Sequence, residues 1–355
     1  MPQKLRSERL AAHSAVSTSL ALLSDRALGE LVDTAAPIAS GIGGKSAGLE
    51  VAGTPVFVKR VPLTDPERRP EHVRSTANLF ELPAFCHYGV GGPGFGTWRE
   101  LAVHTMTTNW VLAGEYEGFP LMYHWRVLPD STPLPEELAD IERAVAYWGG
   151  DAQVRRRIEA LRGASASVAL FLEYIPQTLH QWLGARLTAG DEAVNRACAM
   201  VERELEAGTS FMNGRELLHF DAHFENILTD GRRLYFADYG LTISSRFELS
   251  RAEAEFFDRH QVYDRCYTRT HLVNWLATAV HGYGTHGDGK ADRDAQVRAY
   301  ARGERPTGIP AEAAAILTRH APLAAVVGAF NRELQNRSRR TPYPLEEIRR
   351  ILPYA

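Results

Sequence analysis

The chain has 355 residues, enough for two unequal lobes around a shared cleft rather than three separate domains. Hydrophobic residues make up 45% and charged residues 23%, a globular balance that excludes a disordered or fibrous chain. Forty Lys and Arg against 43 Asp and Glu leave a formal charge of −3, which argues against a globally basic nucleic-acid binder. Cys86, Cys198 and Cys266 lie far apart with no CxxC pair, so a reducing cytoplasm is expected. The N-terminus lacks a sustained apolar core, and the longest apolar run, Leu323 to Phe330, is too short to span a bilayer. No membrane or nucleic-acid partner is therefore expected.

Residues 1–34 read as a helical extension, with Leu10, Ala11, Leu20, Leu23, Leu28 and Leu31 at roughly helical spacing. A glycine-rich loop follows at Ser40–Ser46, then a hairpin with strands at Leu49–Val51 and Val56–Val61 around Ala52-Gly53-Thr54-Pro55. Local pattern does not place the Pro- and Gly-rich stretch Pro62–Trp98. Arg99–Ala113 reads as a helix and Pro120–Leu128 as a strand. Glu136–Arg162 is a charged helical pair broken at Gly149-Gly150, within an insert at 130–165, and Ser167–Tyr174 is a buried strand. From Thr178 onward helices dominate, apart from one hairpin. The order predicts an α+β architecture: a β-rich lobe over 35–175, preceded by the extension 1–34, and a helical lobe over 176–355.

The segment carrying chemistry is Leu217–Leu241, LLHFDAHFENILTDGRRLYFADYGL. Ile227-Leu228 and Leu234-Tyr235-Phe236 are strand-like, and Asp230-Gly231 signals a turn between them. A hairpin centred near residue 232 puts Asn226 roughly opposite Asp238, where directly opposed residues lie about 4.5–5.5 Å apart. An amide oxygen and a carboxylate so placed suit Mg²⁺, which prefers hard oxygen ligands and shares phosphate oxygens. Asp221, in the preceding loop, is placed to face the same cleft as a base or orienting group.

His219-x-Asp221-x-x-x-x-Asn226 followed by Asp238-Tyr239-Gly240 resembles the catalytic loop and metal-binding triplet of the protein-kinase-like superfamily, which includes protein kinases and the aminoglycoside and other small-molecule phosphotransferases. The likeness covers roughly Ile38–Gly282 and is concentrated in residues 217–241. It implies a two-lobed fold and Mg-ATP-dependent transfer of phosphate to a hydroxyl, with GTP as the other candidate nucleotide. In it Asp221 orients the acceptor hydroxyl and takes its proton, and Asn226 and Asp238 hold Mg²⁺. Val56-Phe57-Val58-Lys59 looks like the strand bearing the phosphate-binding lysine, with Glu100 as its ion-pair partner. Glu173-Tyr174-Ile175 looks like the hinge whose backbone holds adenine. Gly41, Gly43 and Gly44 supply backbone N–H groups over the phosphates.

The pattern departs from the family in several places. Ser46 stands where the third glycine of GxGxxG belongs, and Phe57 where a small residue usually lies over adenine. Ala39–Ser46 also mimics a P-loop, but a hairpin follows instead of a helix. Phe220 replaces the arginine that in protein kinases senses a phosphorylated activation loop, and no Ala-Pro-Glu triplet follows Asp238-Tyr239-Gly240. His223 stands where small-molecule phosphotransferases carry histidine. These features favour a dedicated acceptor, a small molecule or a specific peptide. The insert 136–162 is a candidate partner-docking element, and the arginines 332, 337, 339, 340, 349 and 350 read as a solvated tail. The competing readings are a general Ser/Thr protein kinase, a nucleotide-binding pseudokinase, and a metallohydrolase using His219-x-Asp221-x-His223 with His260 or His271.

Overall fold

The computed structural model describes residues 2–41, 44–89, 92–131, 133–283 and 287–352. It is a mixed α+β chain with a small antiparallel sheet and many helices. The chain divides into two compact units: Met1–Ile175 with Asp238–Glu253, and Pro176–Ala237 with Ala254–Ala355. The sequence pattern alone groups 238–253 with the helical second half. In the structure this segment is held in the first unit, where Leu241 O accepts from His87 (2.7 Å), the Glu248 N–H donates to Thr76 Oγ1 (2.9 Å) and Glu253 pairs with Arg99 (2.7 Å).

In the first unit, helices α1 (Pro2–Ala21) and α2 (Asp25–Asp33) precede strands β1 (Ala36–Gly41), β2 (Gly44–Val51) and β3 (Thr54–Leu63). Helix α3 (Thr97–Ala113) leads to β4 (Met122–Pro129), and β5 (Ala166–Glu173) closes an antiparallel sheet of order β1-β2-β3-β5-β4. The β2–β3 turn is tighter than the sequence suggests. Val51 pairs with Thr54, and Ala52 and Gly53 both take positive φ (50° and 72°), as a two-residue hairpin turn requires.

Helices cover both faces of this sheet. Val61, Leu63, Val168, Leu170 and Leu172 pack against Trp98 and Leu101 of α3. On the other face, Arg126 of β4 pairs with Asp25 at the start of α2. Burial on both sides explains why β5 is apolar almost throughout instead of alternating.

The stretch between β3 and α3 is ordered by one buried carboxylate. Glu67 accepts from the Thr64 N–H (3.0 Å), the Thr64 hydroxyl (2.5 Å) and the Thr97 N–H (2.9 Å), and pairs with Arg157 at 3.0 Å. Burial opposes its charge, but Arg157 and these donors prevail and hold it below the usual carboxylate range. Arg157 belongs to the insert between β4 and β5, which forms helices Glu136–Ala139, Ile141–Tyr147 and Ala152–Arg162, with Gly149 and Gly150 at positive φ. Arg157 also lies over the Phe80 ring, and Trp148 stacks on Phe85. The insert thus packs on the chain's own 64–98 segment through these side chains.

In the second unit the hairpin β6 (Ile227–Thr229) and β7 (Leu234–Phe236) packs on helix α4 (Asp191–Gly214). A side chain at Gly208 of α4 would collide with the Phe236 ring at 2.0 Å, so the approach requires glycine. Helices α5 (Tyr263–His281), α6 (Gly287–Ala301) and α7 (Ala311–Asn336) complete the core. Although its longest apolar run is short, α7 as a whole is long and apolar enough to cross a membrane, and half of its most apolar stretch is buried. Cys266 of α5 packs against its Leu323 and Val327. In the arginine-rich C-terminal part, Arg332 pairs with Asp294, Arg337 with Glu333 and Arg349 with Glu346.

Candidate functional site

In the first unit, Lys59, Glu100 and Asp238 meet. Strand alternation turns Phe57, Lys59 and Val61 to the face covered by α3, whose first turn carries Glu100. Lys59 Nζ lies 2.7 Å from Glu100 Oε1 and 3.0 Å from Asp238 Oδ1. The Lys59 and Glu100 side chains are 10% and 3% exposed, and that of Asp238 is 37% exposed. Burial works against the Lys59 ammonium, but Asp238 and Glu100 outweigh it and raise its pKa. Burial raises the Glu100 pKa, aided by the charge of Asp238 and opposed by Lys59. Phe57 packs at the margin of the α3-facing core.

Asp238 takes φ = 61°, which is uncommon for a residue with a side chain, and its Oδ1 accepts a long bond from the Gly240 N–H (3.4 Å). Tyr239 is buried edge-on against His104, four residues beyond Glu100 on α3. Among the described residues, neither ring nitrogen of His104 has a hydrogen-bond partner, and burial pushes its pKa down to about 3.

Gly41 and Gly44 pair at the tip of the β1–β2 hairpin, and Gly43 lies outside the described residues. Strand β5 ends at Glu173, whose N–H bonds to Leu121 O (2.8 Å), and Tyr174 beyond it is exposed.

In the second unit the loop from His219 to Asn226 is tied down at both ends. The His219 and Phe220 N–H groups donate to the two oxygens of Asp264 on α5, at 2.6 and 2.8 Å. Phe220 has φ = 64°, and its ring is buried among Phe256, His260 and Tyr263. His219 Nδ1 accepts from the Asp221 N–H (3.3 Å), which fixes the tautomer whose Nε2–H donates to Ala237 O (3.0 Å). At the far end, Asn226 Nδ2 donates to Asp221 O (3.0 Å) and Asp221 Oδ2 (3.1 Å). Both bonds use the amide nitrogen, so the amide oxygen takes no part in either. His223 Nε2 stands 3.8 Å from Asp221 Oδ1.

Two sequence expectations are corrected. The hairpin register pairs Ile227 with Phe236, so Asn226 stands beside Ala237 and accepts its N–H (3.0 Å), not beside Asp238. The cause is a four-residue loop, in which Asp230 accepts from the Arg232 and Arg233 N–H groups (2.9 and 3.1 Å) and Gly231 takes φ = 82°. The hairpin centre therefore falls between residues 231 and 232. The proposed His219-Asp221-His223 metal cluster also fails, because both His219 ring nitrogens are spent on backbone groups. Among the described residues, no three or more His, Cys, Asp or Glu side chains are grouped to hold a metal.

Asp264 is the residue that sequence reasoning missed. Burial raises its pKa to about 6 against the opposing effect of the two N–H donors. Its signal is the face of α5 that it shares with Tyr267 and with His271, whose ring centroid lies 6.2 Å from that of His223. The three recur at 264, 267 and 271, the spacing of one helix face. No protein-family model matches the chain, and no curated protein matches it in sequence.

Proposed function

We propose that the chain is a Mg-ATP-dependent phosphotransferase of the two-lobed protein-kinase-like kind, phosphorylating a hydroxyl of a dedicated acceptor, either a small molecule or Ser/Thr of a specific peptide. The observation that carries this reading is the Lys59–Glu100–Asp238 cluster. A lysine is buried at a strand centre with one carboxylate from the covering helix and a second at a positive-φ position before Gly240. Such an ammonium, held rigid and charged, suits a polyphosphate.

By the resemblance, Asp238 and Asn226 would be the oxygen donors to a magnesium ion borne by the nucleotide. Asp238 already has a cation, the Lys59 ammonium, on its partly exposed carboxylate, and Asn226 has an amide oxygen not used by its loop bonds. Bound Mg²⁺ would neutralise phosphate charge. Lys59 would bind the α- and β-phosphates. Asp221, oriented by Asn226, would align the acceptor hydroxyl and take its proton. Retention of these groups favours an enzyme over a pseudokinase. The first unit holds Asp238–Glu253 by Arg99, His87 and Thr76, which favours a segment set in place without phosphorylation over the switched segment of a general Ser/Thr protein kinase. The three free, buried cysteines favour a cytoplasmic enzyme.

The test is thermal melting of wild type and Asp238→Ala with Mg-ATP, Mg-GTP or nucleotide alone. A Mg-dependent rise in Tm in wild type that is lost in the variant is expected, because a ligand that binds the folded state stabilises it by mass action. Unchanged melting of wild type with either nucleotide refutes the proposal.

A further inference from the structure

Arg9, on the N-terminal helix, uses all five of its N–H groups at the end of β5. Its Nε donates to Glu173 Oε1 (2.8 Å), and one terminal nitrogen donates to Glu173 Oε2 (2.7 Å) and Phe119 O (2.8 Å). The other donates to Glu117 Oε2 (2.7 Å) and Glu117 O (3.2 Å). Glu173 Oε2 also accepts the Leu121 N–H at 3.0 Å, from the segment entering β4. The Arg9 and Glu173 side chains are 12% and 13% exposed, so solvent screens this fork far less than a surface ion pair. The helix is fastened by the same face further along: His13 meets the Tyr123 ring, and Val16 and Leu20 are fully buried.

Glu173 is the last residue of β5, and the chain leaves the sheet at Tyr174 and Ile175. The direction in which it leaves is therefore set by how firmly Glu173 is held. A planar guanidinium bound in a two-pronged fork fixes both the position and the rotation of a carboxylate, which a point charge does not.

We propose that Arg9 is a positioning residue for nucleotide binding: it locks Glu173 and so aims the Glu173–Ile175 backbone at the adenine edge. The proposal rests on the phosphotransferase reading, in which this strand end is the base-binding segment. The N-terminal helix then belongs to the nucleotide site although it need not touch the nucleotide. Its loss should weaken base recognition before it weakens anything done by Lys59 or Asp221.

Calorimetric titration of Mg-ATP and Mg-GTP into wild type, Arg9→Met, Arg9→Lys and Leu20→Ala, with Tm recorded for each, tests this. Leu20→Ala loosens the same helix without touching the fork. Arg9→Met should raise the Kd for the preferred nucleotide about tenfold and narrow the preference between the two. Arg9→Lys should fall between, because one ammonium cannot make the fork. Leu20→Ala should lower Tm and leave both Kd values as in wild type. If Arg9→Met lowers Tm but leaves Kd and preference unchanged, the helix is only a staple and the proposal is overturned. Should Arg9→Met not fold, Arg9→Lys against Leu20→Ala gives the same decision. Wild type binding neither nucleotide would remove the phosphotransferase reading and this proposal with it. Wild-type binding with an indifferent Arg9 removes this proposal alone.

Discussion

Lys59 and the backbone just before Asp221 are each held by carboxylate, but in opposite ways. In the first unit, side-chain charge holds side-chain charge: Lys59 sits between Glu100 and Asp238, and removing any one member leaves the others unbalanced. In the second, Asp264 holds backbone, accepting the N–H groups of the two residues before Asp221. The contrast indicates what each carboxylate controls: charge balance in the cluster, backbone geometry in the anchor. A charge cluster is tuned by protonation, whereas a backbone anchor fixes geometry.

The strongest way to break the comparison is Asp264→Ala. It strands two buried N–H groups and releases Phe220 from its positive φ. A loss of about 3 kcal/mol is expected in the urea transition of the second unit. Proteolysis should then cut first within 219–226.

Lys59→Met sharpens the contrast through pH. The substitution leaves Glu100 buried without its cation, so its already raised pKa rises further above its unfolded value. A carboxylate whose folded pKa is raised stabilises the fold below its unfolded pKa and loses that contribution as pH rises. The penalty relative to wild type should therefore be small near pH 4.5 and grow to about 2–3 kcal/mol by pH 8, as read from urea midpoints at the two pH values. A penalty independent of pH would show that Glu100 is not the titrating partner.

The smallest effect is expected at His104, which faces Lys59, Glu100, Asp238 and the Tyr239 ring. Its folded pKa of about 3 lies below the ordinary value of 6.5, so its contribution is intact above pH 6.5 and is lost as pH falls toward 3. Wild type should lose about 2 kcal/mol between pH 7 and pH 5 from this group. His104→Leu should flatten that part of the stability profile.

What was legible in the sequence was local. Asp221, Asn226 and Asp238 stand close along the chain, and turn chemistry between them announces a hairpin, although Asp230 caps a longer loop than the Asp-Gly signal implies and moves the register by one residue. Lys59 and Glu100 were within reach only through the resemblance of Val56-Phe57-Val58-Lys59 to a lysine-bearing strand that a helix follows. Asp264 was not, because its partners lie 44 and 45 residues away and the 264, 267, 271 spacing marks a helix face without saying what that face meets. The stretch 62–98 has no period at all. Its order comes from Glu67, bonded to Thr97 and paired with Arg157 far along the chain. Arg9 likewise carries no local signal, since its partner Glu173 lies 164 positions away.

That separation has a consequence for how the protein is made. Helix α1 leaves the ribosome long before its docking surface exists, because β4, β5 and Glu173 must still be synthesised. At about 5–20 residues per second, its face bearing Arg9, Val16 and Leu20 waits on the order of ten seconds or more. The first unit then waits again for Asp238–Glu253, which is translated only after much of the second unit has emerged. Synthesis therefore cannot complete the units one after the other. The nascent chain carries α1 undocked until Glu173 and the strand before it have been made.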